Sequence, residues 1–425
     1  MRVYCETFGC TMNRGDSELM LGCLKAAGHE PVTKLEDADL LIINTCAVKG
    51  PAQRRVLRRL GELRQLDGKK IVVAGCLPLI DLSSIDRLGT FAGIISCHSI
   101  DSIAAVVERI VRGEADVRAL GREPCEKLCL PKLRSSNVSA IVAISEGCTS
   151  NCSYCSVRLA RGRLHSFGME SILSEVENAV KAGYREILLT SQDTAAYSID
   201  LNTNLPELLN SISALEGKFK VRVGMMNPAM AKRILPELLN AFESDKVYKF
   251  LHLPVQSGDD DVLTAMRRSY TVEEFMRMVK VFKEKFEDLY LATDIIVGFP
   301  GEGKQEFVHT CELVEQIMPD KVNLTRFSPM PGTDAAKMQL VDGREVKRRS
   351  TMLSARCREI GYEQNKRYVG QIVEGLVVEE GEKGGYVVRL PNYKPAIIRG
   401  GKIGDFVTIK ITGARPTYLL GEVLR

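Results

Sequence analysis

The sequence predicts an α/β protein in three parts: an N-terminal open parallel α/β sheet domain over residues 1–125, a partial (β/α)6 barrel over 136–360 and a small antiparallel β-barrel over 362–425. Three observations carry this. Strand and helix patterns alternate through the first part, which implies a parallel sheet with helices on both faces. After a linker the alternation resumes through six further units in series, which suggests a barrel or partial barrel rather than an open sheet. The last part holds some five short strand patterns between Gly- and Pro-containing turns, the pattern of a small barrel.

In the first part, Arg2–Thr7 reads as a strand and Asp16–Ala27 as a helix with Asp16 near its cap. Asp39–Asn44 is a buried strand, Ala52–Arg64 a basic helix, Lys70–Gly75 a strand, Ile94–Ser96 a short strand and Asp101–Arg112 a helix. In the barrel the strands are Ala140–Ser145, Glu186–Thr190, Lys220–Gly224, Lys249–Leu253, Leu289–Val297 and Lys321–Phe327, with helices such as Glu170–Lys181, Met230–Phe242 and Thr271–Lys285 between them. The final strands are Gln371–Val378, Tyr386–Leu390, Ala396–Arg399, Phe406–Thr412 and Tyr418–Val423.

Composition narrows the class. Of 425 residues, 45% are hydrophobic and 26% charged, as in soluble globular proteins. No apolar run reaches the ~18 residues of a membrane span, and the charged N-terminus does not read as a secretion signal. The expectation is a cytoplasmic, monomeric protein. Thirteen cysteines, an odd number in such a compartment, argue against a disulfide framework and for metal or redox chemistry. The net charge of +4 does not by itself demand a nucleic-acid partner. Its distribution says more: between Lys383 and Arg425, eight basic residues face only Asp405 and Glu422. Arg54, Arg55, Arg58 and Arg59, and Arg344, Lys347, Arg348 and Arg349, form further basic helical runs. Each alone reads as solvated surface; together they favour an anionic partner.

Two cysteine trios carry the chemistry. Cys10, Cys46 and Cys76 each follow a predicted strand and precede a helix, so a parallel sheet would bring them to one edge. Nearby helix N-termini favour thiolates, and three thiolates suit an iron–sulfur cluster with one iron open. On pattern alone, small residues packing at strand ends explain them too. Glu146-Gly147-Cys148-Thr-Ser-Asn-Cys152-Ser-Tyr154-Cys155 follows the first barrel strand. Three thiolates on one tight loop can ligate three irons of a [4Fe–4S] cluster, while zinc would want a fourth ligand that is not evident. Cys125 and Cys129 lack a second half-site, and Cys5 reads as core. Cys23, Cys97, Cys311 and Cys357 show no ligand context, and His165 and His252 read as structural.

The CxxxCxxC loop with an aromatic before its third cysteine resembles the radical S-adenosylmethionine (SAM) superfamily. With the other two parts, the chain resembles the radical SAM methylthiotransferase family, whose C-terminal β-barrel is the RNA-binding TRAM domain. The contexts Thr-Phe-Gly-Cys10-Thr-Met-Asn, Asn-Thr-Cys46-Ala-Val and Ala-Gly-Cys76-Leu-Pro match it. The resemblance implies two [4Fe–4S] clusters, one on Cys10, Cys46 and Cys76 and one on Cys148, Cys152 and Cys155, with SAM on the second. It implies a tRNA anticodon loop as partner and a separate electron donor.

Segments Thr190–Thr194, Arg222–Pro228, Phe250–Gly258, Ala292–Pro300 and Pro329–Thr333 are most similar to the archaeal and eukaryotic branch that acts on N6-threonylcarbamoyladenosine in tRNA. Ala195 and Val297 depart from it, standing where glycine and cysteine are common. The other targets in the family, isopentenyladenosine and a ribosomal protein side chain, stay open as alternatives, as does a non-catalytic RNA-binding role. Tyr154, Gln192, Asp193, Gln256 and Asp294, on the cluster loop or at strand ends, are candidates to contact SAM or the base. Hydrogen bonding that orients loops would explain the last four equally well. No catalytic residue is singled out beyond the clusters.

Overall fold

The computed structural model describes residues 1–46 and 50–424, with Pro51 described by its backbone alone. Ala47 and Val48 of the Cys46 context, and Arg425, lie outside the described residues.

The first sheet is parallel throughout, in the order β2-β1-β3-β4-β5-β6. Its strands are β1 (Arg2–Thr7), β2 (Glu30–Pro31), β3 (Leu40–Thr45), β4 (Lys70–Gly75), β5 (Gly93–Ser96) and β6 (Val117–Ala119). Period-two geometry sends alternate residues to opposite faces. Leu40 and Ile42 join one core with Val72 and Ala74, while Leu41 and Ile43 join the other with Ile71 and Val73. Helices therefore cover both faces, as a parallel sheet requires. Helix α1 spans Thr11–Ala26, α2 Gly50–Leu63 and α3 Leu77–Ile80. α1 starts five residues before the expected Asp16. Its cap position is Cys10, and the Asp16 side chain turns inward to buried cations.

The barrel part holds β7 (Ser139–Ala143), β10 (Glu186–Thr190), β11 (Lys220–Arg222), β12 (Phe250–His252), β13 (Tyr290–Val297) and β14 (Lys321–Arg326), all parallel where they pair. They form two three-stranded sheets joined by a parallel bridge between Val221 and Val247. One large core of aliphatic and aromatic side chains fills the space between these strands and their helices. A short antiparallel pair, β8 (Ser145–Glu146) with β9 (His165–Ser166), was not expected. The expected helix Met230–Phe242 is interrupted into Pro228–Ala231, a 3-10 turn and Leu235–Ala241. Pro236, at the start of the last piece, has no N–H to continue the ladder.

The last part is a closed barrel in the order β15-β16-β17-β19-β18. Its strands are β15 (Ile372–Glu380), β16 (Tyr386–Arg389), β17 (Pro395–Ile398), β18 (Phe406–Ala414) and β19 (Leu419–Val423). It is not wholly antiparallel: β17 and β19 pair in parallel. Five strands cannot alternate direction around a closed ring, so one parallel pair is unavoidable. Two basic residues of the predicted anion-binding runs point inward. Lys394 is buried against Asp320 at 2.7 Å, and Arg349 against Glu302 at 2.8 Å. Among the described residues, no helix is long and apolar enough to cross a membrane.

Candidate active site at a cavity shared by two cysteine trios

The loop between β8 and β9 carries Cys148, Cys152 and Cys155. Gly147 opens it at φ +77, a conformation that disfavours a side chain. Its N–H donates to Gln192 Oε1 at 2.7 Å, and the Cys148 N–H reaches Gly162 O at 3.3 Å. The first bond ties the start of the loop to the end of β10, and the second ties its two arms together. The three thiols, with Tyr154, line a cavity of about 330 Å³ at the C-terminal ends of the barrel strands. Gln192, Asp193, Gln256 and Asp294 line the same cavity, and so does Cys10. Every residue proposed from the sequence for SAM or base contact therefore faces one space.

Their environments differ. Gln192 spends its carbonyl on the cluster loop, the orienting role considered for it. Asp193 is buried and accepts the Asn227 N–H at 2.9 Å, with Oδ2 unpartnered. Burial pushes its carboxyl up to about 6, opposed by that bond and by Arg268. Asp294 holds His252 Nε2 at 3.1 Å and Asn323 Nδ2 at 2.6 Å. Gln256 is non-glycine at φ +76, the strained backbone found at functional sites. Tyr154 stands edge-on to Phe299. His165 sits apart, near Glu126.

The second trio converges as the sheet edge predicted. Asn13, in the first turn of α1, donates its amide to Phe8 O and Thr45 O at 2.9 Å each. Its Oδ1 lies 3.8 Å from both Cys10 Sγ and Cys76 Sγ. One side chain thus ties together the ends of three loops bearing Cys10, Cys46 and Cys76. Cys46 and Cys76 are buried, while Cys10 reaches the cavity.

Sequence reasoning missed four features. Arg268 donates to Cys152 Sγ at 3.2 Å and to Asn227 Oδ1 at 3.0 Å. In the sequence it is half of an ordinary Arg-Arg pair. Cys97, passed over, ends β5 next to the strand that Cys76 ends. The neighbouring Cys97 thiol lowers the Cys76 thiol pKa, against burial and with help from Arg161. The strand-end placement shared with the other three was its legible signal. Third, His98, Cys97 and Glu146 place ligand-type atoms within 4.8 Å of one another.

Fourth, Asp16, Lys127, Glu146 and Arg161 form a buried ring of alternating charge. Lys127 holds Asp16 and Glu146 at 2.9 Å each; Arg161 holds Asp16 at 2.6 Å and also pairs with Glu146. Burial opposes the charge on Lys127, yet Asp16 and Glu146 overcome it and raise its pKa. The ring joins α1, the linker and the cluster loop.

The donor chemistry fits iron–sulfur clusters. Each trio offers three convergent sulfurs, which leaves one iron of a [4Fe–4S] cluster open. Burial pushes the Cys155 thiol up to about 12 and raises that of Cys148. Thiols so placed ionise when a metal supplies the compensating charge.

Comparison with known proteins agrees. The "Radical SAM superfamily" profile matches residues 142–314, the "Uncharacterized protein family UPF0004" profile 2–93 and the "TRAM domain" profile 366–424. A Pyrococcus abyssi protein named "Probable threonylcarbamoyladenosine tRNA methylthiotransferase" is 46% identical over 100% of both chains. An Archaeoglobus fulgidus protein of the same name is 44% identical over 100% of this chain and 99% of its own. The chain belongs to the radical SAM methylthiotransferase family. The human threonylcarbamoyladenosine tRNA methylthiotransferase is 36% identical over 89% of this chain and 66% of its own. Family membership implies SAM and iron–sulfur chemistry.

Among solved structures, the radical SAM methyltransferase TsrM from Kitasatospora setae superposes with a TM-score of 0.58 at 14% identity, over 79% of this chain and 75% of its own. The cobalamin-dependent radical SAM enzyme OxsB gives 0.54 at 11%, over 84% and 56%. These two speak to the fold alone.

Proposed function

We propose that this protein is a tRNA methylthiotransferase that replaces the hydrogen on C2 of N6-threonylcarbamoyladenosine, beside the anticodon, with a methylthio group. The observation that carries the reading is the single cavity lined by the Cys148, Cys152 and Cys155 loop and by Cys10 of the second trio. Each trio would hold a [4Fe–4S] cluster, and SAM would sit at the barrel cluster. Bound there, the cluster and SAM supply a carbon-centred radical able to take hydrogen from an unactivated carbon.

The chain's own residues position and shield this chemistry. Gln192 and the β8–β9 pair hold the cluster loop. Arg268 sets a cation beside Cys152 and orients Asn227. Apolar Met225, Pro254, Ile295, Phe327 and Met330 line the cavity and limit water around the reacting atoms. Exposed basic residues of the last barrel, including Lys383, Arg399, Lys402 and Lys410, would hold tRNA phosphates. The base would come from the single-stranded anticodon loop.

One feature favours threonylcarbamoyl over isopentenyl. Arg326, at the end of β14, lines the cavity, and among the described residues nothing pairs with its guanidinium. A free cation suits a substituent bearing a carboxylate and does nothing for a hydrocarbon. Mass spectrometry of tRNA nucleosides from cells with and without the gene tests the reading. The 2-methylthio derivative of N6-threonylcarbamoyladenosine should disappear with the gene. Loss of the isopentenyl counterpart instead, or of neither, would refute it.

A further inference from the structure

Arg161 belongs to the barrel part yet serves the other trio. It lies six residues after Cys155, at the end of the helix Val157–Arg161, and its side chain is 3% exposed. The guanidinium donates to Asn13 Oδ1 at 2.9 Å, and the same oxygen lies 3.8 Å from Cys10 Sγ and Cys76 Sγ. Asp16 and Glu146 clamp it from behind. Two carboxylates with Lys127 balance the ring, so the guanidinium stays charged in a dry site.

We infer that Arg161 is a positioning residue that sets the reduction potential of the cluster held by Cys10, Cys46 and Cys76, so that the barrel's cysteine loop tunes the neighbouring site. This rests on the proposed ligand assignment of that trio. A cluster on three thiolates gains one negative charge on reduction, and a fixed buried cation stabilises the reduced form more than the oxidised one. Net charge and hydrogen bonds near the sulfurs are the recognised determinants of cluster potential.

The test uses the full chain with Cys148, Cys152 and Cys155 changed to Ala, leaving one cluster, titrated anaerobically by EPR. In that parent, Arg161→Gln/Glu146→Gln removes a balanced pair and leaves Asp16 with Lys127; Arg161→Lys keeps the charge. The balanced variant should retain iron and show at least a tenfold lower reduced-to-oxidised ratio at fixed potential, a shift of ~59 mV for one electron. Arg161→Lys should stay near the parent. A balanced variant that loads no cluster beside an Arg161→Lys that loads normally overturns the inference in favour of a structural role for the pair. An unshifted potential in the balanced variant, or failure of Arg161→Lys to load, overturns the inference. A parent that binds no cluster overturns the ligand assignment and this inference with it.

Discussion

Gly147→Ala is the sharpest probe of the barrel cysteine loop. A Cβ there would lie 2.0 Å from Arg163 O and 2.9 Å from Arg161 O, both backbone atoms on the returning arm of the loop. Real Cβ contacts essentially never fall under 3.0 Å, so the two arms must part by about an ångström. The left-handed backbone at φ +77 adds about 1–2 kcal/mol. Parting the arms strains or breaks the Cys148–Gly162 and Gly147–Gln192 hydrogen bonds, at about 1 kcal/mol each. The sum, about 3–4 kcal/mol, lowers the loop's formation constant by two to three orders of magnitude. Gly162→Ala is the control: at φ +72 and ψ −160 it also strains the backbone, but nothing lies within 4 Å of the added carbon, so it carries strain without the clash. Iron and sulfide should be measured after anaerobic reconstitution in a Cys10→Ala, Cys46→Ala, Cys76→Ala background, so that only the barrel trio can load. Gly147→Ala should lose nearly all iron, and Gly162→Ala should keep most of it. Equal loading in the two variants would refute the reasoning.

Other outcomes follow from the same geometry. The Asp193 carboxyl is raised from 3.8 to about 6, so the folded state holds a proton more tightly than the unfolded chain and loses stability as pH rises through that window. Asp193→Asn keeps an acceptor for Asn227, and in cluster-free protein should be more stable than wild type above pH ~7, by up to about 3 kcal/mol. That gain should vanish toward pH ~4 in urea melts; a gain that grew in acid would contradict the assignment. Lys127→Met leaves Asp16 and Glu146 sharing Arg161 and should cost about 3–5 kcal/mol. Lys127→Met/Asp16→Asn restores balance and should recover much of it; equal losses in chemical denaturation would mean that charge is not what holds the ring. Arg326→Gln removes the unpaired cation and should raise KM for threonylcarbamoyl-bearing tRNA roughly tenfold or more. Preference over isopentenyl-bearing tRNA should fall with it, and an unaltered preference would take Arg326 out of substrate reading.

The sequence by itself determined the three-part architecture and both cysteine trios. Those signals are local: continuous apolar runs such as Leu40–Ile43 announce buried strands, and a CxxxCxxC loop needs no distant partner to be recognised. Strand-end placement put Cys10, Cys46 and Cys76 on one edge of a parallel sheet, where they could converge or simply pack as small residues. Cys97, just past the end of β5, has the same strand-end placement. The tertiary structure alone decided what binds the parts together. Asn13, Asp16, Lys127, Glu146 and Arg161 stand up to 148 positions apart in the chain, and none is unusual in its local sequence. Their meaning comes from burial, which makes an unpaired charge costly and a balanced ring stable. The parallel β17–β19 pair followed from closing five strands, a global constraint that no strand carries. Likewise, Cys10 lines the barrel's cavity, where the ring ties the first turns of α1 to the barrel's cysteine loop, so that two separately legible motifs share one site.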